Sequence, residues 1–99
     1  MPSRKFHIEY APEFERKLYQ IAGHIWREYG DLDAAERFVL TVETLIQKRA
    51  NSGPDSFEKC ISQRTRQHSF YRIYLRKWVI YYVVDDDKMR VVNITHYGI

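Results

Sequence analysis

The chain has 99 residues, 44% of them hydrophobic, and carries 16 Lys and Arg against 13 Asp and Glu for a net charge of +3. That suits one domain, residues 1–99, with a modest core, and is too apolar for a disordered segment. No apolar run approaches the roughly 18 residues of a membrane span, and a single cysteine, Cys60, excludes an internal disulfide framework.

The charge is uneven. Between Phe57 and Trp78 stand Lys59, Arg64, Arg66, Arg72, Arg76 and Lys77 against the single acid Glu58, a net +5 that leaves −2 for the remainder. A basic segment on a slightly acidic body points to an anionic partner, either nucleic acid or an acidic protein, unless it is only a solvated surface. Met1-Pro2-Ser3-Arg4-Lys5 leads into no apolar signal core, so export is not indicated and Cys60 reads as an inert thiol in a reducing cytoplasm.

Lys5 to Tyr10 alternates, with Phe6, Ile8 and Tyr10 on one face and Lys5, His7 and Glu9 on the other, as in a half-buried strand. Ala11-Pro12-Glu13 then opens a helix, since proline suits the first turn and Glu13 and Glu15 suit its positive end. Phe14, Leu18, Ile21, Ala22, Ile25, Trp26 and Tyr29 make one wide apolar stripe, with Trp26 and Tyr29 read as core or groove lining, and Gly30 stops the helix. After Asp31-Leu32-Asp33, Asp33 and Glu36 fit an aspartate capping box. A second helix carries Ala35, Phe38, Val39, Val42, Leu45, Ile46 and Ala50 on one side and ends at Asn51-Ser52-Gly53-Pro54-Asp55. The short link makes the pair an antiparallel hairpin.

Ser56 to Arg66 has little periodicity beyond a short strand around Lys59 to Ser62. Gln67 to Leu75 enters a β-meander. Phe70-Tyr71-Arg72-Ile73-Tyr74-Leu75 and Trp78-Val79-Ile80-Tyr81-Tyr82-Val83-Val84 flank the break Arg76-Lys77 as a β-hairpin, and Met89 to Thr95 follows the polar turn Asp85-Asp86-Asp87-Lys88. Trp78–Val84 is apolar on both faces, which marks a central strand. The expected fold is α+β: an N-terminal strand returning beside the meander, an antiparallel helical hairpin covering one sheet face, and a three- to four-stranded antiparallel meander. The opposite face and its basic rim are left for function.

No metal or other cofactor is expected: His7, His24, His68 and His96 lack ligand spacing, and the glycines form no phosphate-cradling loop. No serine sits in a nucleophile elbow, and Asp85-Asp86-Asp87 reads as a charged turn. What remains is basic and aromatic. Arg64, Arg66, Arg72, Arg76 and Lys77 lie near His68 in sequence, and near His96 and Tyr97 across a folded sheet. Cleaving RNA through its 2′-hydroxyl needs a base, a cation for the phosphorane charge and an acid for the leaving oxygen. His96 or His68 suits the base, an arginine the cation, and Tyr97 or His96 the acid. The same cluster equally suits an acidic protein partner.

Several stretches, in this order, resemble the RelE/ParE superfamily of bacterial toxins across nearly the whole chain. They are a strand ending in Tyr10-Ala11-Pro12, a second helix beginning Asp33-Ala34-Ala35-Glu36-Arg37-Phe38, Tyr71-Arg72-Ile73, Ile80-Tyr81-Tyr82-Val83-Val84-Asp85-Asp86-Asp87 and a terminal Ile94-Thr95-His96. The resemblance implies the toxin of a type II toxin–antitoxin pair in the bacterial cytoplasm, held in a hetero-oligomer by an antitoxin segment that wraps it. ParE-like members poison DNA gyrase and cut nothing; RelE-like members cut messenger RNA in the ribosome. The long helical pair with Ala34-Ala35 and Phe38 is more ParE-like. In both branches a strand arginine usually precedes the Tyr that matches Tyr82; here the matching region is Trp78-Val79, and that arginine is missing. Arg72 matches a recurrent basic position, and His96-Tyr97 resembles the His-Tyr of the mRNA-cleaving YoeB branch. The resemblance therefore implies gyrase inhibition, for which the basic cluster offers Arg64, Arg66, Arg76 and Lys77 as target-binding residues. The alternative is a ribosome-dependent endonuclease built on Arg72, His96 and Tyr97, and the second alternative a degenerate member that keeps only antitoxin binding.

Overall fold

The computed structural model describes residues 5–57, 59–61 and 69–96. The elements in chain order are β1 (His7–Tyr10), α1 (Pro12–Tyr29), α2 (Leu32–Asn51), β2 (Lys59–Ile61), β3 (Ser69–Leu75), β4 (Trp78–Asp85) and β5 (Lys88–His96), with a 3-10 turn at Pro54–Ser56. They form one five-stranded sheet in the order β1-β5-β4-β3-β2. The strands β2 to β5 pair antiparallel in sequence, and β1 runs parallel to β5 on the far edge. The chain is thus the expected α+β arrangement. The short strand near Lys59 forms, and β4 is central, between β3 and β5.

The α1 start follows from Pro12 in its first turn, and its end from Gly30, which takes a left-handed φ of 62° and donates its N–H to Trp26 O at 2.7 Å. The expected Asp33 cap is corrected. Asp31 caps α2, its carboxylate accepting from Ala34 N at 3.0 Å. Leu32 already has its place inside the helix, so Asp33 falls in the first turn, where an acid still meets the positive helix end.

The β3–β4 and β4–β5 loops are each two residues long. Arg76 (φ 54°) and Asp86 (φ 59°) hold the left-handed backbone that such turns demand and that glycine would adopt at less cost. A register shift at Tyr81/Tyr82 marks a bulge against β5. At the edge, His7 N donates to Asp87 O and Ala11 N to Val91 O, which tie β1 to the end of the meander and lead directly into α1.

The core lies between the helical hairpin and one sheet face. Phe14, Leu18, Val42 and Ile46 from the helices meet Ile80, Tyr82, Val91 and Ile94 from the sheet, and all are essentially removed from solvent. Side chains of this size contribute about 1.5–3 kcal/mol each on burial. Tyr10 stacks on Phe14 and Tyr71 on Tyr82, with ring centroids 5.6 and 5.0 Å apart. The wide α1 stripe divides: Phe14 and Leu18 enter this core, whereas Trp26 and Tyr29 remain exposed and line grooves.

Candidate functional site

Alternation along β4 decides which sequence-selected residues can meet. Trp78 packs edge-on against Phe38 of α2 at 6.0 Å, so it faces the helices. His96 pairs with Trp78 across β4 and β5, with ring centroids 5.2 Å apart. Arg72 is paired instead with Tyr81, three positions along β4 and therefore on the opposite face. There its guanidinium lies 5.6 Å from the Tyr74 ring centroid. Arg72 and His96 are separated by the sheet. Tyr97, Arg64, Arg66 and His68 lie outside the described residues.

The open face carries Phe70, Arg72, Tyr74, Tyr81 and Arg90. Phe70 and Tyr81 meet edge to face at 6.4 Å. At its centre Val79, flanked by Tyr74 and Thr95, is only 2% exposed. An apolar residue thus holds the middle of this face, in the Trp78-Val79 region where the sequence lacks a strand arginine.

His96 instead helps to line a cleft of about 520 Å³ between α1 and the ends of β4 and β5. Lys17, His24, Tyr29, Lys77 and Trp78 line it too. A second cleft of about 680 Å³ brings Arg37 of α2 and Arg76 of the β3–β4 turn beside Tyr29, Lys77 and Trp78. Arg76 and Lys77 are thus brought together, and they project beside the helical hairpin at this end of the sheet.

The helices also present an outer groove that sequence reasoning did not single out. Tyr19, Trp26, Leu32 and Leu40 line it, 59%, 54%, 51% and 63% exposed, with Ala22 and Val39 between them and Glu36 and Glu43 at its margin. A contiguous apolar surface of this kind marks an interaction site more often than chance exposure does. The available signal was the spacing Tyr19, Ala22, Trp26, a second stripe that overlaps the wide one on α1 at Ala22 and Trp26.

A buried polar tie braces the far end of the hairpin. The Tyr82 hydroxyl donates to Pro54 O at 2.8 Å and accepts from Arg49 Nη1 at 3.0 Å; the same nitrogen donates to Arg72 O at 3.1 Å. The Arg49 guanidinium lies 3.6 Å from the Phe57 ring centroid. Burial pushes the Tyr82 phenol above its ordinary value of 10.0, while the hydrogen bond and charge of Arg49 act the other way. Among the described residues no three His, Cys, Asp or Glu side chains gather into a metal-ligand set, and no helix is long and apolar enough to cross a membrane.

A family model described as the ParE toxin of the type II toxin–antitoxin system parDE matches residues 8–98. Among solved structures, a chain from the chromosomal ParDE toxin–antitoxin system of P. aeruginosa superposes with a TM-score of 0.72 at 13% identity, covering 97% of this chain and 100% of that one. No curated protein matches significantly in sequence.

Proposed function

The chain belongs to the ParE toxin family of type II toxin–antitoxin systems, and from that premise we propose that it stops bacterial growth by binding and inhibiting DNA gyrase, cutting no nucleic acid itself. One observation carries the reading: Arg72 faces the open side of the sheet, whereas His96 packs on Trp78 on the helix side. A ribonuclease needs its cation, base and acid within reach of a single phosphate. Two of the three groups such an enzyme would use here lie on opposite faces. Inhibition by binding needs no such convergence, and the exposed cations Arg76 and Lys77, with Arg64 and Arg66, supply the charge to meet a target.

The partner in this reading is an antitoxin, and the toxin acts in the bacterial cytoplasm when that antitoxin is lost. The outer groove of the helical hairpin suits an amphipathic antitoxin helix. Tyr19, Trp26 and Leu40 would receive its apolar face, while Glu36 and Glu43 favour basic flanks.

The test is a comparison of variants in a gyrase supercoiling reaction and in growth. Arg76→Glu with Lys77→Glu is expected to weaken inhibition about tenfold or more, as charge reversal at a binding rim does. His96→Ala with Tyr97→Phe is expected to leave inhibition intact. A folded, antitoxin-binding double variant that has lost toxicity would return the account to the endonuclease.

A further inference from the structure

The two clefts beside the β3–β4 turn adjoin, with Ile25, Tyr29, Lys77 and Trp78 lining both. Side by side they make a stepped channel along the helical hairpin and the end of the sheet. Four permanent cations line it: Lys17 from α1, Arg37 from α2, and Arg76 and Lys77 from the turn. Among the described residues the channel lining holds no Asp or Glu, although the chain as a whole carries 13. Cations from three separate elements are gathered along it.

Aromatic rings sit among these charges. Tyr29 is 76% exposed, so its ring is available to a ligand. Trp78 is held in place edge-on by Phe38 on one side and His96 on the other. Cations interleaved with an exposed ring are the pattern that holds a single strand, whose phosphates need charge and whose unpaired bases need a surface to stack on. At about 520 and 680 Å³ the two parts are small-ligand spaces, the scale of single nucleotides and not of a duplex. An acidic peptide without aromatic side chains would use the cations but leave Tyr29 unstacked.

We propose that this channel binds single-stranded nucleic acid, its phosphates held by Lys17, Arg37, Arg76 and Lys77 and a base stacked on Tyr29. The proposal shares Arg76 and Lys77 with the gyrase reading and adds to it a direct contact with unpaired DNA. It is tested without gyrase, so either can fail alone.

The experiment is fluorescence anisotropy of a labelled short oligothymidylate with the purified chain, repeated across a salt series. Saturable binding is expected, with log K falling against log salt by about 0.7 for each phosphate contacted. Arg76→Gly is the informative variant, because Arg76 already has a φ of 54° and glycine takes that backbone without strain. It is expected to keep the fold while the salt slope becomes shallower by about 0.7. Tyr29→Ala, a change at an exposed position, is expected to weaken binding roughly 5- to 150-fold, the range of one lost base stack. Lys48→Glu, outside the channel, is expected to change neither slope nor stack. The proposal is overturned by no saturable binding, by binding unmoved by both Arg76→Gly and Tyr29→Ala, or by displacement by a duplex as effective as by single strand. Displacement by polyglutamate at matched charge would also overturn it, and would assign the channel to an acidic protein.

Discussion

Replacing Tyr82 with phenylalanine removes one oxygen atom and tests the brace between the helical hairpin and the sheet. The ring is fully buried and stacked on Tyr71 at 5.0 Å, so its packing stays. What goes is the donor to Pro54 O at 2.8 Å and the acceptor for Arg49 Nη1 at 3.0 Å. Arg49 keeps Arg72 O and the Phe57 ring. Pro54, whose carbonyl loses this donor, is buried. A buried acceptor stripped of its donor costs about 1–3 kcal/mol, and about 2 kcal/mol is the expectation here. For a domain of this size each kcal/mol moves Tm by about 4–8 °C, so Tyr82→Phe should melt about 8–16 °C lower. Urea and thermal unfolding followed by circular dichroism measure it. A loss under about 0.5 kcal/mol would mean the hydroxyl only exchanges water for protein, and the bracing argument would be refuted.

The phenols also set an alkaline limit. Burial raises both Tyr82 and Tyr10 above 10.0, so the folded state favours their protonated forms. The stability they contribute is complete below about pH 10 and is lost as pH rises through the folded values. Stability measured from pH 9 upward should fall more gently in Tyr82→Phe and Tyr10→Phe than in the native chain. At the start of α2, Asp31→Ala should cost about 0.5–2 kcal/mol, since it removes the cap on Ala34 N, while Asp33→Ala should cost distinctly less; equal losses would contradict the observed cap. Leu40→Glu, at a position 63% exposed, should leave unfolding within about 0.5 kcal/mol of native yet abolish co-purification with the antitoxin, and an undisturbed complex would move the antitoxin off the outer groove.

The sheet was legible because its signals are local. Trp78–Val84 is apolar on both faces and lies in the centre; of the alternating Phe6, Ile8 and Tyr10, the last two fall in an edge strand. The alternation in β1 carries no information about its partner, so its parallel pairing with β5 had to come from the structure. Helix ends depend on one residue of phase: Asp31 and Asp33 are both good caps, and only the position of Leu32 inside the helix separates them. The site was less legible for the same reason. Arg72 and His96 belong to different strands, and only the register against Trp78 and Tyr81 assigns them to opposite faces. The channel draws Lys17, Arg37 and Lys77 from three elements far apart in sequence, which no single motif encodes. The outer groove was concealed because it overlaps the broad stripe: Leu18 is buried and Tyr19, about 100° further round α1, is exposed in the groove.

The central claim is inhibition of gyrase without catalysis, and one induction experiment tests it most directly. The chain is expressed alone in a bacterial host while DNA integrity and protein synthesis are followed in parallel from the first minutes. The account predicts DNA breaks, an SOS response and filamentation before translation slows, and the same outcome for His96→Ala with Tyr97→Phe. An early arrest of translation with cleaved messages and intact DNA would contradict it.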